Sequence, residues 1–536
     1  MRTSWAAGAT IAVLVACGYL FFPGHTYLHS DTQIYIPILE HMRDPSVFTK
    51  DIVALRPHVS FTIYDEMARG LRAVIGAADF RTVLHAQQLV FRFCGLMGVF
   101  LVGQALGFPW RMALLLASVY GLGATIIGPS VLIHEYEPVP RGFAGGLSML
   151  AVGLMARERW MWGGVALGVA ILYHPPTTYP LMIVLSAYAA WKREVRWVAP
   201  VAVGVVASLL LSRLQAGATE PQQFWGVIDA ELEKLQRMRG SYNWISMWNA
   251  SAIRHHQFAA LVCLAALWRL RPPMPIRWIW AGLPVVGVVA MPASYLLLDA
   301  AKWQFLPQFQ PLRAVLFITL VAALASAACG IRAGRGGRFW EALAWFCIAF
   351  AIPAQADALQ LLLPDWRDEA IRARALVVVA LAALAAVAAR WNSSPAWVAA
   401  LLLPFYLYPG PGQVRNYRNQ DEPEIRQLAQ WARNSTARDA VFLFPDAEAR
   451  LHPGFFRAYS LRNLYVDFKG GGQVNLLREF AFEWWERWQK SIEKGKDLGY
   501  YGGLGIDYVV FRKASKPQFG HAVWQGKDYV AFATRE

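Results

Sequence analysis

Charge is what this 536-residue chain has least of. Asp, Glu, Lys and Arg make up 16% of it, against about 25% in ordinary soluble domains. The deficit comes from long uncharged runs, which excludes a conventional soluble globular protein. Disulfide chemistry is absent as well. Cys17, Cys94, Cys263, Cys329 and Cys347 all fall inside apolar runs and none has CxxC spacing. That excludes a disulfide framework or a cysteine metal site, and the thiols read as small, inert packing residues. The chain has no internal repeat, heptad array or low-complexity tract, and no ten-residue alternating pattern of a membrane barrel.

What it does have is hydrophobic length. Apolar residues make up 56% of the chain and its mean hydropathy is +0.32. A hydrocarbon layer about 30 Å thick needs roughly 20 apolar residues per helix. Windows of this kind fall at 5–22, 84–106, 110–128, 142–156, 160–173, 177–191, 197–212, 256–268, 278–298, 314–331, 340–363, 375–389 and 396–408. Open sheets cannot cross lipid, so these windows predict helices. The expected fold is mainly α: a polytopic transmembrane helical bundle of about thirteen spans. The first window reads as a retained helix rather than a cleaved signal peptide.

Orientation follows from Lys and Arg. Alternate connections are short and basic, holding Arg2, Arg111, Arg157, Arg159, Lys192, Arg193, Arg196, Arg269, Arg271, Arg277, Arg332, Arg335, Arg338 and Arg390. The intervening connections 23–82, 129–141, 213–255, 299–313 and 364–374 carry mixed charge. The basic set is therefore expected in the cytoplasm. That places residues 1–409 in the bundle, with outside loops 23–82 and 213–255, and residues 410–536 outside the cytoplasm. The site is the cytoplasmic (inner) membrane. The net charge of +15 is largely accounted for by the cytoplasmic turns. No basic stripe interleaved with aromatics remains, and nucleic acid is not an expected partner.

Two outside segments have helical spacing and an amphipathic face, 59–75 and 224–238, of the sort that lies in a membrane interface. Tyr242, Trp244 and Trp248 suit an interfacial aromatic belt. In the tail, a helical pattern at Ile425–Ala432 precedes strand-like runs at Val441–Phe444, Asn463–Phe468, Tyr508–Phe511 and Tyr529–Phe532. An aromatic helix falls around Phe480–Trp488. This alternation predicts a small α/β domain.

The acids and cations that could carry chemistry lie near the expected outer boundary. Asp31 follows the first span, where it is either a helix cap or a base; Asp44 and Asp51 lie further along the same loop. Glu135 and Glu137 form an E-x-E stiffened by Pro138 and Pro140 and followed by Arg141. Two such carboxylates could share a divalent cation, or simply belong to an exposed polar loop. His174 closes the fifth window and Arg313 opens the tenth. Arg92 sits inside the second, where a cation needs a partner. A lipid-linked phosphate would suit either arginine. Gly470-Gly471-Gly472 offers an anion cradle or a plain hinge.

With these residues in place, the chain resembles the GT-C superfamily of membrane glycosyltransferases, which includes protein mannosyltransferases and aminoarabinose transferases. The resemblance rests on an acid just after the first helix (Asp31), an acidic pair in the next outside loop (Glu135, Glu137), Pro140-Arg141, and Tyr173-His174-Pro175. Phe456–Tyr459 and Tyr465–Lys469 resemble phrases of bacterial membrane proteins in the wider group. It implies glycosyl transfer from a polyprenyl-phosphate sugar to an acceptor at the outer membrane face. Asp31 would be the base toward the acceptor, and Arg313, with Arg92 or Arg141, would hold the departing phosphate. His174 and the E-x-E would complete the pocket. There is no D-x-D in the second outside loop and no WWDYG-type motif in the tail, so neither a metal requirement nor a protein acceptor follows. The alternatives are a transporter or flippase, whose ionisable groups would gather at mid-membrane, and a non-catalytic envelope assembly protein.

Overall fold

A backbone removed from water must close its hydrogen bonds locally, and each of the thirteen apolar windows is occupied largely by helix. The computed structural model describes residues 2–57, 62–76, 79–214, 225–408, 423–493, 497–515 and 519–535. Among these, four helices are long and apolar enough to cross a membrane: Phe80–Ala105, Met274–Ala300, Leu306–Arg335 and Glu369–Trp391. Shorter apolar helices are Trp5–Leu20, Trp160–Tyr173, Val198–Arg213, Phe339–Ala354 and Ser394–Leu407. These helices give the chain the means to associate with a membrane. All five cysteines are free thiols.

The chain forms two compact units. The first comprises Met1–His25, His85–Leu210 and Ser241–Asn416. Its central helix, Leu316–Arg335, is apolar all round and buried along almost its whole length, as expected of a helix with no polar face to show. The helices Phe80–Ala105 and Pro140–Ala156 meet at backbone contact. A Cβ on Gly146 would strike the Phe91 carbonyl, and one on Gly98 the Met149 carbonyl. Small residues at these positions set the approach. Between Trp110–Gly121 and Pro140–Ala156 the chain makes a two-stranded hairpin, β1 (Thr125–Ile126) antiparallel to β2 (Val131–Leu132). Trp244 is fully buried here rather than part of an interfacial belt.

The second unit comprises Thr26–Leu84, Leu211–Gly240 and Tyr417–Glu536. The sequence assigned both loops to the bundle and only 410–536 to the outer domain; instead 26–84 and 211–240 fold with the tail. The expected boundary itself lies in 409–422, outside the described residues. The tail forms the expected sheet, with β3 (Val441–Leu443), β4 (Asn463–Leu464), β5 (Tyr508–Arg512), β6 (Trp524–Gln525) and β7 (Tyr529–Ala533) in the order β4-β3-β5-β7-β6. The β4-β3-β5 part is parallel and β7 and β6 are antiparallel. Helices at Pro423–Ser435, His452–Ser460 and Arg478–Ile492 accompany it. Phe442, Phe456, Phe480 and Trp484 are fully buried in the core.

A buried ion network explains why the first loop joins the tail. Arg457 lies between Asp467 (3.0 Å) and Asp51 (3.6 Å), and all three side chains are 1% exposed. Arg457 Nη2 also donates to the Gln33 carbonyl at 2.8 Å. Asp51 caps the short helix Ile52–Leu55 and accepts from the Leu464 amide at 3.1 Å, so one carboxylate bonds to both loop and sheet. Removing a single partner from such a buried network costs about 3–5 kcal/mol, because it strands a desolvated charge.

The two expected interfacial helices also differ from expectation. The first runs Tyr64–Ile75, with residues 58–61 outside the description. It buries Tyr64, Asp65 and Ala68 and exposes Met67, Val74 and Ile75. The second runs Ala230–Arg239 and turns Leu232 and Leu235 inward, while Phe224 is outside the description. Burial of Asp65, reinforced by neighbouring Glu66, pushes its carboxyl up to about 8. This group is neutral in the fold and ionised in the unfolded chain between 3.8 and about 8. Its stabilising contribution is therefore full below that window and is lost as pH rises through it. The melting temperature of the purified protein should fall from pH 6 to pH 9, and Asp65→Asn should flatten that slope. An equally steep slope in the variant would contradict the assignment.

Candidate functional site

In the first unit, the helix Phe80–Ala105 carries His85, Gln88 and Arg92 at spacings of three and four, which puts them on one face. Gln88 Nε2 donates to the carbonyls of Glu135 and Tyr136, each at 3.0 Å. Arg92 donates to the carbonyls of Glu135 (2.8 Å), Gly24 (2.7 Å) and Gly18 (3.2 Å). Gly18 lies in the last turn of the first helix, where carbonyls lack helical partners and carry the negative end of the dipole. Arg92 thus answers its own burial by clamping three backbone oxygens. These contacts serve the loop, and the phosphate role expected for Arg92 is not what they provide.

The clamped loop presents Glu135, which is 5% exposed. Its carboxylate accepts a two-pronged hydrogen bond from Arg141, Nε at 2.7 Å and Nη2 at 3.0 Å. The Leu132 amide approaches the same carboxylate at 3.3 Å. Glu137 is buried, 2% exposed. A divalent cation, which the two acids could have shared, does not fit this arrangement. The Arg141 fork already occupies both Glu135 oxygens, and among the described residues no three His, Cys, Asp or Glu side chains gather. Beside them, burial and the nearby Arg92 charge push the His134 imidazole down to about 3, so it is neutral.

Arg141 and Glu135 open onto a cleft that Arg313 also lines. Arg313 sits in the 3-10 turn Pro311–Val315, which is fixed when Tyr179 Oη donates to the Pro311 carbonyl at 2.8 Å. Arg313, Leu316, Phe317 and Leu320 recur at helical spacing and form one wall; Val131 and Met149 face the same space. Leu132, Pro176 and Thr177 are also part of the lining. His174 stands one side chain behind it, with Nδ1 2.8 Å from Thr177 Oγ1. The structure therefore brings Glu135, Arg141 and Arg313 to one cleft, with His174 supporting it. Two guanidiniums, those of Arg141 and Arg313, look onto an apolar wall.

Asp31 belongs to the second unit. It stands at the start of helix Thr32–Arg43, yet its side chain makes no capping bond. Instead, Lys469 Nζ donates to Asp31 Oδ1 at 2.7 Å and to Ser30 Oγ at 2.9 Å. Asp51 and Asp44 are structural: Asp51 as above, and Asp44 bonded to Ser46. Lys469 is the partner that sequence reasoning missed, although it closes the phrase Tyr465–Lys469. Gly471 lies flush against the Trp484 ring, and the Gly470 amide donates to Asp467 at 3.1 Å. The three glycines are therefore a close-packed turn rather than an anion cradle.

Residues 423–491 match a family described as Domain of unknown function (DUF6798). The matched stretch contains Arg457, Asp467 and Lys469. A comparison with curated proteins gives no match.

Proposed function

We propose that this chain is a multi-pass protein of the cytoplasmic membrane, with about thirteen spans and its C-terminal α/β domain outside the cytoplasm. Its activity is transfer of a sugar from a polyprenyl-phosphate donor to an acceptor at the outer face. The short basic connections support the orientation. The GT-C resemblance supports the reaction class. The observation that carries the donor assignment is the cleft of the first unit, where Arg313 and the Arg141–Glu135 pair adjoin the apolar side chains of Leu316, Phe317, Leu320 and Met149. Guanidinium groups suit phosphate oxygens, and an apolar wall suits an isoprenoid chain. Charge that builds on the departing phosphate would be stabilised by Arg313.

A transporter would call for ionisable groups at mid-membrane. Arg92 is one buried group that meets that description, and it is spent on backbone carbonyls. The base role of Asp31 toward the acceptor hydroxyl rests on the GT-C resemblance alone; transfer that proceeds unimpaired in Asp31→Asn would remove it.

The direct test is binding. Farnesyl phosphate should bind the purified protein more tightly than farnesol. Arg313→Gln should erase about tenfold of that preference, corresponding to about 1.4 kcal/mol of charge-assisted bonding, and leave farnesol binding unchanged. Equal binding of alcohol and phosphate by the wild-type protein would overturn the assignment.

A further inference from the structure

The geometry points to His256 as a positioning residue for this cleft, acting through the β1–β2 hairpin; the inference rests on the cleft being the phosphate site. His256 lies beside His255 on the helix Ala250–Leu270 and is fully buried. An imidazole in such surroundings is costly unless it makes a specific bond. His256 Nε2 lies 3.0 Å from the Ile127 carbonyl. That oxygen only accepts, so Nε2 carries the hydrogen and donates.

Ile127 begins the loop between β1 and β2. The next residue, Gly128, has φ +100°, and a Cβ there would meet the Trp248 ring at 2.8 Å. Only glycine fits this backbone and this contact. Trp248 is in turn held by its Nε1 donating to the Tyr242 carbonyl at 3.2 Å. The hairpin tip is thus gripped by a hydrogen bond on one side and an indole face on the other.

From the tip, register carries the constraint into the cleft. Thr125 pairs with Leu132 and Ile126 with Val131. Val131 and Leu132 line the cleft, and the Leu132 amide reaches Glu135 Oε1 at 3.3 Å, the same carboxylate that Arg141 forks. A hairpin loosened at Ile127 would let Leu132 drift, and the Glu135–Arg141 pair would lose a backbone anchor. The ring of His256 touches no substrate position in this scheme; it sets where the fork stands.

The test compares His256→Leu, which keeps bulk without a donor, with His256→Gln, which keeps an N–H of similar reach. In His256→Leu the preference for farnesyl phosphate over farnesol should drop about fivefold, the loss expected from one hydrogen bond. Farnesol affinity should hold, and His256→Gln should recover to within about twofold of wild type. Hydrogen exchange at residues 125–135 should quicken in His256→Leu and return in His256→Gln. Equal behaviour of the two variants, or loss of phosphate and alcohol binding together, would overturn the proposal. Should the wild-type protein fail to discriminate phosphate from alcohol, the cleft reading falls, and exchange still decides whether His256 holds the hairpin: unchanged exchange in His256→Leu refutes it.

Discussion

Every charge carried out of water must be neutralised where it stands, and this constraint organises both units. Arg92 is met by three carbonyls, Arg141 by Glu135, and Arg457 by Asp51 and Asp467. Asp65 escapes the same cost by holding its proton. Each solution pins a segment. Arg92 fixes the loop that carries the acids, and Arg457 ties the first loop to the tail sheet. Local helix formation supplies the elements, and these few paired charges decide how loops attach to them.

The cleft follows from that arrangement. Because Arg92 and Gln88 hold the loop by its backbone, the Glu135 side chain is left to accept the Arg141 fork. Arg313 reaches the same space from a turn locked by Tyr179. A pocket with fixed guanidiniums at one side and packed apolar side chains at the other needs little reorganisation to accept an amphiphilic anion, and such preorganisation is what gives electrostatic stabilisation its value.

Much of this was legible in the sequence, for a physical reason. Helix formation in apolar windows is local, so the windows coincide with helices, and the tail strands announce themselves by short β-branched and aromatic runs. Glu135 and Arg141 were both singled out as candidates, but their pairing was not, although only six residues separate them. Pairings across great sequence distance leave no periodic trace. Lys469 meets Asp31 across 438 residues, and Asp51 meets Leu464 across 413, so the merging of loop and tail was hidden. The orientation of Tyr64–Ile75 was misjudged because burial of Asp65 runs against its polarity. The adjacent His255 and His256, followed by the apolar run from Phe258 to Trp268, are a readable signal of specific bonds.

The claim at the centre is that the first unit's cleft holds an isoprenoid phosphate. A farnesyl phosphate analogue with a photoreactive chain terminus, irradiated with the protein in membranes and mapped by mass spectrometry, tests it most directly. Adducts on Met149, Phe317 or Leu320 that unlabelled farnesyl phosphate competes away are the result this account requires. Adducts confined to other helices, or adducts indifferent to competition, would contradict it.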